Sequence, residues 1–412
     1  MLLMTQTNQS LKQRKDKYPL TMFLALIYFA VSLCMFAFIN MPNATAHRKI
    51  SVPYIKAWVV DYHTVFTYIF VAVFIVAVLV EYRTVQINAV TLLLAVKCLL
   101  DMITLFIEGK LMTHFSVFAS SLGMLTSYLI ASQVSKGHRF FAWIFILFAS
   151  VLSLQSLWGM FVSPEPYFSV YYKNHLVIPY GATNIIATAL IPTFFLYKKI
   201  ENKVLKIGYI TLVTLGIIAT KSRGGMVLFA ICLLIKLVIY SKKNNNWKWL
   251  YIALGGAAMV FCILLCFHEF RYFLIGFSGG ELTFDRLTSG RVTLMVDNLL
   301  AAFEKPILGH GLGTYHSANY FNIPQDAHNL FVALLYRCGI VGLTIYVAAL
   351  ALVLRQAKEE KKFTSVWFLF LLIMLANSMF EVCYQSYKCD VIFWFVAGLL
   401  NAKPRPEKRK FL

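Results

Sequence analysis

Acidic side chains are scarce in this chain: 18 Asp and Glu stand against 38 Lys and Arg in 412 residues. Charge of either sign is thin, at 14% of residues, while apolar residues reach 59%. The polar, mixed surface that a soluble protein of this length needs is therefore missing. Strict apolar–polar alternation is missing too, which argues against a closed β-barrel. No internal repeat of 20–50 residues stands out. There is no Asp-x-Asp for a metal-bound nucleotide sugar, no Walker loop, no His-Glu-x-x-His helix and no Gly-x-Ser-x-Gly elbow. The eight cysteines show no metal-ligand spacing, and most sit in apolar runs, where Cys acts as a small hydrophobe. Cys383 and Cys389 differ: they flank a short polar gap and could pair if that gap faces an oxidising compartment.

What is present is a series of uncharged stretches of about 18 or more residues, each able to cross roughly 30 Å of hydrocarbon as a helix. The expected fold is all-α and polytopic. Twelve spans are expected, at about 19–40, 58–80, 85–107, 112–134, 140–161, 178–197, 205–220, 224–241, 248–267, 339–356, 363–380 and 389–402. The polar, basic stretch Met1–Lys17 precedes no small-residue cleavage site, so the first run reads as a retained span. With both termini on the cytoplasmic side, roughly 23 of the 38 Lys and Arg fall on that side and roughly 12 outside. The net charge of +20 is thus mainly topological, suited to anionic lipid heads on the inner leaflet rather than to nucleic acid. Lys97 and Asp101, four residues apart in the third span, read as a neutralising pair, with a transport role as the lesser reading.

This orientation places Ala44–Tyr54, Ser163–His175, the tight Lys221-Ser222-Arg223 turn and the long segment 268–328 outside. A segment of that length with apolar residues at helical spacing (Leu294, Met295, Leu299, Leu300, Phe303) is commonly functional. Thr288 or Ser289 is the expected cap of its second helix.

Four outward groups could carry chemistry. In Thr220-Lys221-Ser222-Arg223-Gly224-Gly225, two cations meet a helix N-terminus with a Gly pair, a phosphate-binding arrangement, although Lys and Arg also snorkel at span ends. In Asp285-Arg286-Leu287-Thr288-Ser289-Gly290-Arg291, Arg291 could grip a diphosphate with its planar fork, or pair with Asp285 or Glu281 as an ordinary loop arginine. The run Pro306–Thr314 carries Gly309, Gly311 and Gly313, which permit close backbone approach to a ligand. It follows no expected strand, so it is no dinucleotide fingerprint. In Asp326-Ala327-His328-Asn329, Asp326 is the expected N-cap, which puts His328 in a first helical turn near the membrane surface, as a proton acceptor or an interfacial histidine. His310, His316, Asp326 and His328 match no standard metal spacing.

Together these blocks resemble the O-antigen ligase and polysaccharide polymerase family of bacterial membrane glycosyltransferases. The resemblance rests on Ser222-Arg223-Gly224, Ser289-Gly290-Arg291, Pro306–Gly313, and His328-Asn329 followed by Gly339-x-x-Gly342-Leu343, with a fainter match at Gly181–Ala187. It covers roughly residues 178–356. Met295 departs from it, standing where the family often has Trp. The resemblance implies a GT-C-like fold of twelve spans with a large extracytoplasmic loop. It implies a polyprenyl-diphosphate-linked oligosaccharide as donor and transfer without metal, nucleotide sugar or cofactor. Its partners would be the bilayer and other polysaccharide-assembly proteins, such as a flippase and a chain-length regulator. His328 would act as base. Arg223 and Arg291 would bind the diphosphate and stabilise the leaving charge, and Lys221, Arg286, Gly311, Gly313, Asn329 and Asn184 would contact substrate.

The expected organisation is a membrane segment 1–177, a ligase- or polymerase-like core 178–356, and a C-terminal membrane segment with a basic tail, 357–412. Polymerisation for a capsule or exopolysaccharide is taken first, and ligation to lipid A core or protein stands beside it. A lipid-linked oligosaccharide flippase would need charges along a central cavity and a pseudo-repeat. Here few charges lie mid-span. A non-catalytic scaffold leaves the outward Arg and His unexplained. Arg223 is expected to face Arg291 and His328 across an outward cavity, with 268–328 as lid and Lys221–Gly225 as floor.

Overall fold

The computed structural model describes residues 19–40, 52–56, 62–107, 115–167, 169, 172, 176–266, 288, 290–314, 316–317, 324–325, 327–381 and 387–403. These residues form thirteen α-helices: α1 (Leu20–Phe38), α2 (Tyr62–Tyr82), α3 (Ala89–Ile107), α4 (Phe115–Ser132), α5 (His138–Val162), α6 (Thr183–Phe194), α7 (Lys203–Ala219), α8 (Arg223–Lys243), α9 (Lys248–Leu265), α10 (Arg291–Ala302), α11 (Leu330–Glu359), α12 (Val366–Asn377) and α13 (Tyr387–Asn401). Three two-residue strand pairs join loops: Ile39–Asn40 parallel to Ile55–Lys56, and the antiparallel pairs Val177–Ile178 with Gly181–Ala182 and His316–Ser317 with Pro324–Gln325. Among the described residues, seven helices are long and apolar enough to cross a membrane. The chain is a polytopic, all-α membrane protein. Each of the twelve expected windows holds a helix, and the thirteenth, α10, lies in the segment 268–328.

The bundle is organised around α13. Every residue from Tyr387 to Asn401 is buried, and the helix runs along α4. A helix apolar on all sides stays buried when neighbours enclose it. Its polar residues find partners: Lys388 donates to the carbonyls of Pro179 and Tyr180, and Asp390 accepts from Ser120. At the other extreme, α9 buries only Leu250 and presents the rest of its surface outward. In α3, the Lys97 ammonium lies 2.5 and 2.6 Å from the two Asp101 oxygens, and Ser121 of α4 donates to the same carboxylate at 2.6 Å. This is the neutralised intramembrane pair expected from the spacing, and it removes the penalty of a lone charge in the bundle.

Two boundaries differ from expectation. The window 178–197 opens as a short hairpin, and helix begins only at Thr183. The window 339–356 starts at a kink rather than at a helix end. Helix α11 runs on from Leu330, interrupted at Gly339 with φ 61° and ψ −170°. The kink persists because another segment completes it. His310 N–H donates to Tyr336 O at 2.8 Å and Gly311 N–H to Arg337 O at 3.0 Å, while Ile340 N–H donates to Pro306 O at 2.8 Å. The Pro306–Gly311 backbone thus takes the groups that the broken helix leaves unpaired, as buried amides require. No side chain fits in this splice: a Cβ on Gly339 would lie 2.2 Å from Ile307 O, and one on Gly309 2.5 Å from the Arg337 carbonyl carbon.

Gly339→Ala combines that clash with a positive φ, and is expected to destabilise the protein by roughly 2–5 kcal/mol. A lower thermal unfolding midpoint in detergent checks this; an unchanged midpoint refutes the structural role of the splice.

Candidate functional site

The site is assembled on the turn that follows α12. Residues Ser378–Glu381 offer successive acceptors, and three distant parts of the chain dock on them. Leu330 N–H, at the start of α11, donates to Ser378 O at 2.8 Å, and Asn329 Nδ2 donates to Met379 O at 3.3 Å. Arg291, the first residue of α10, donates through Nη1 to Phe380 O and through Nη2 to Glu381 Oε2 at 2.8 Å. Asn184, in the first turn of α6, donates to the same oxygen at 2.9 Å. The other oxygen, Oε1, lies 3.4 Å from His328 Nδ1, an ion-pair distance. That nitrogen is buried and makes no hydrogen bond among the described residues. Glu381 therefore joins α6, α10 and the His328 segment through one carboxylate.

The α7–α8 turn adds the remaining cations. Ser222 caps α8 by accepting from Gly225 N–H at 3.2 Å, and its hydroxyl donates to Asn184 Oδ1 at 2.9 Å. Gly225 permits this approach, since a Cβ there would lie 2.8 Å from Ala187 Cβ of α6. Arg223 stands within electrostatic reach of Arg291, whose Nη1 would lie 3.5 Å from a Cβ on Gly224. Lys221 is turned toward another segment: its ammonium donates to Ser169 O at 2.8 Å and lies 5.7 Å from the Tyr167 and Tyr172 ring centres.

Two of these residues have left-handed backbones, His328 and Lys221, each with φ 50°. Such conformations cost on the order of 1–3 kcal/mol for a side chain with a Cβ, and they gather where surrounding contacts over-determine the chain. The α11 cap accounts for His328. Asn329, not Asp326, is the N-cap: its Oδ1 accepts from Phe331 N–H at 3.0 Å and Val332 N–H at 3.2 Å. His328 thus precedes the helix rather than sitting in its first turn, and the left-handed bend aims it back at Glu381. The expected cap of α10 is corrected likewise: Gly290, with φ 75°, occupies that position and no side chain caps the helix.

Electrostatics follow from this packing. Burial by itself raises the Glu381 carboxyl, but the nearby His328, the charge of Arg291 and the Asn184 N–H outweigh it and hold the group below its usual value. Burial, and then the charge of Arg223, push the Lys221 ammonium down to about 8. Arg223 beside Arg291, with Lys221 at the border and Glu381 the one carboxylate among the described residues of the cluster, leaves it electropositive. A fixed positive field beside a helix N-terminus suits an anionic, phosphate-bearing group.

Of the residues singled out in the sequence, Asn184, Arg223, Arg291 and His328 come together, with Lys221 at the border. Asn329 is committed to its capping role and to Met379. Gly311 lies in the α11 splice, its N–H already paired, and Gly313 follows it with φ 74°. His310 stacks on Tyr336 at 4.5 Å and bonds Ala301 O at 2.8 Å through Nε2, so it serves packing. Arg286, Asp285, Glu281, Ser289, His268 and Cys383 lie outside the described residues, as does the pairing of Cys383 with Cys389. Glu381 was missed in the sequence because it sits in a short gap without a motif. The available signal was electrostatic: outward Arg residues converging on one place need a carboxylate, and outward acids are few.

The fold and site thus define a multi-helix membrane protein with a cationic cluster, anchored on a carboxylate, at the ends of several helices. Residues 208–347 match the model of the O-antigen ligase family, and over that stretch the chain carries an O-antigen ligase domain. The match runs from within α7 into α11 and includes Lys221, Arg223, Arg291 and His328; Asn184 and Glu381 lie on either side of it. The match covers about a third of the chain and supports a membrane protein of glycan ligation or polymerisation in general. No curated protein matches the chain.

Because the folded Glu381 carboxyl is depressed, its contribution to stability is complete above the unfolded value of about 4.3 and is lost as pH falls through the folded value beneath it. Wild-type thermal stability is therefore expected to decline on acidification below about pH 4.5 more steeply than that of Glu381→Gln. Parallel acid limbs for the two proteins would remove Glu381 from the account.

Proposed function

We propose that the chain transfers a glycan from a polyprenyl diphosphate to an acceptor hydroxyl at the outer face of the cytoplasmic membrane. The observation that carries this reading is the convergence of Arg291, His328 and Asn184 on Glu381, with Arg223 within electrostatic reach of Arg291. In the proposed step the acceptor oxygen attacks the anomeric carbon while the bond from that carbon to the diphosphate oxygen breaks. The acceptor proton passes to His328, and the polyprenyl diphosphate leaves with the bonding electron pair. Attack opposite the leaving group inverts the anomeric centre. A carboxylate beside Nδ1 favours the tautomer protonated there, which leaves Nε2 to take the proton. Arg223, Arg291 and Lys221 supply the positive field for the departing diphosphate, so the step calls on no metal or cofactor.

The proposed topology has twelve spans with both termini inside. The proposed organisation keeps a core at 178–356 between an N-terminal membrane segment, 1–177, and a C-terminal one, 357–412. The last segment also supplies Glu381, so the functional unit reaches beyond the core. Polymerisation takes another lipid-linked repeat unit as acceptor; ligation takes lipid A core or a protein. The cluster serves either, because both present a hydroxyl to the same electrophile.

Purified protein in vesicles with polyprenyl-diphosphate-linked repeat units is expected to yield longer or transferred glycans and free polyprenyl diphosphate. His328→Ala is expected to slow transfer by on the order of 10²–10⁴-fold with donor binding retained. Full activity in that variant rejects the base assignment. Arg223→Ala is expected to weaken donor binding about tenfold or more; unchanged binding rejects the diphosphate site. Donor affinity is also expected to fall as pH rises through about 8, where Lys221 loses its proton, and this step should vanish in Lys221→Gln.

A further inference from the structure

Several helices that carry the site end, at their other extremity, around a second group of cations. Asn184 opens α6, and the 3-10 turn that continues α6, Phe195–Lys199, ends in Lys198 and Lys199. Glu381 follows α12, and Val366 opens that helix beside Ser365. At 1.5 Å per residue, the twelve residues of α12 separate the two regions by roughly 18 Å. A cleft of about 410 Å³ lies there, lined among others by His138, Lys198, Lys199, Lys362, Trp367 and Leu400. A second cleft of about 490 Å³ shares His138 and adds Arg139, Phe140 and Trp143.

The charge of this region is incompletely balanced. Glu201 pairs with Arg139 at 3.0 Å. Glu360 pairs with Lys362 at 2.6 Å, and Lys362 also donates to Leu400 O at 2.7 Å and Ala402 O at 3.2 Å. Lys198 and Lys199 are exposed and pair with no described carboxylate. Two helix starts meet the cleft. Helix α5 begins at His138 behind a left-handed Gly137 with no side-chain cap, and Gly137 O accepts from Phe140 N–H at 2.8 Å. Helix α12 begins behind Ser365, whose hydroxyl accepts from Phe368 N–H at 3.1 Å. Exposed lysines that pair with no described carboxylate and two positive helix starts at one cleft suit an oxyanion, the chemistry of a phosphate. The walls decide the source. Trp367 and Leu400 form apolar sides, and Phe140, 43% exposed, lines the second cleft that shares His138, where an acyl chain would lie.

We propose that this cleft binds the phosphate headgroup of an anionic phospholipid, with Lys198 and Lys199 as its principal contacts. The cleft itself is independent of the proposed glycan transfer, but its assignment to the inner leaflet rests on the orientation given above.

The test uses the full-length protein in neutral detergent, with phosphatidylglycerol, phosphatidylcholine and inorganic phosphate as separate probes and the thermal midpoint as readout. Phosphatidylglycerol is expected to raise the midpoint and phosphatidylcholine to leave it unchanged. The Lys198→Gln, Lys199→Gln double variant is expected to need on the order of thirtyfold more phosphatidylglycerol for the same shift, from roughly a fivefold contribution per cation. The corresponding double Lys→Arg variant should respond as wild type. Arg291→Ala should keep the full lipid response while losing transfer, which separates this cleft from the glycan site. An equal response of wild type and the Gln double variant overturns the proposal. A full shift with inorganic phosphate alone overturns the lipid assignment.

Discussion

One carboxylate sets the geometry of the candidate site. Glu381 receives Asn184 from α6, Arg291 from α10 and the face of His328 from the approach to α11, while the three carbonyls before it take up Arg291 again, Asn329 and the first free amide of α11. Each of these segments has its own local reason to form a helix. None of those reasons fixes their mutual positions. The turn at Ser378–Glu381 does, because partly buried charges and amides must find partners there and the partners available come from far along the chain.

This arrangement explains the backbone at His328. A left-handed residue is unfavourable in isolation, and here it is held by Asn329 on one side and by the Leu330–Ser378 bond on the other. The cap that starts α11 is therefore also the device that turns His328 toward Glu381. The Gly339 kink has a related effect at the other end of the same nine-residue stretch, Leu330–Cys338. Pro306–Gly311 is hydrogen-bonded to the end of that stretch, which ties the segment that follows α10 to the segment that carries His328. A polar cluster fixed before a ligand arrives needs little reorganisation when charge develops, which is the general requirement for electrostatic stabilisation of a leaving group.

Much of this was legible in the residues. Uninterrupted apolar runs gave the all-α membrane class and the approximate places of the helices, because hydrocarbon leaves a chain no other way to pair its amides. Lys97 and Asp101 were readable as a pair from their spacing. The Ser222-Arg223-Gly224 and Gly290-Arg291 blocks were readable as helix starts with cations. What could not be read was long-range. Glu381 belongs to no local pattern, and its significance appears only when residues about 90 and 197 positions away along the chain arrive beside it. The glycines of Pro306–Gly313 were visible as positions of close approach, but the sequence does not say to what. The structure shows at least two of them against the backbone of α11, at Arg337 and Cys338. Asp326 was the cap expected of α11, but Asn329 holds that place, where Leu330 and Asn329 dock on Ser378 and Met379.

The most direct test of the central claim is the rate of transfer by Glu381→Gln compared with wild type on a lipid-linked repeat unit, with donor binding measured on the same preparations. A fall in turnover of about a hundredfold or more is predicted, with donor bound at least as well, since the site loses the one carboxylate among its described residues while keeping Arg223 and Arg291. Turnover equal to wild type would contradict it.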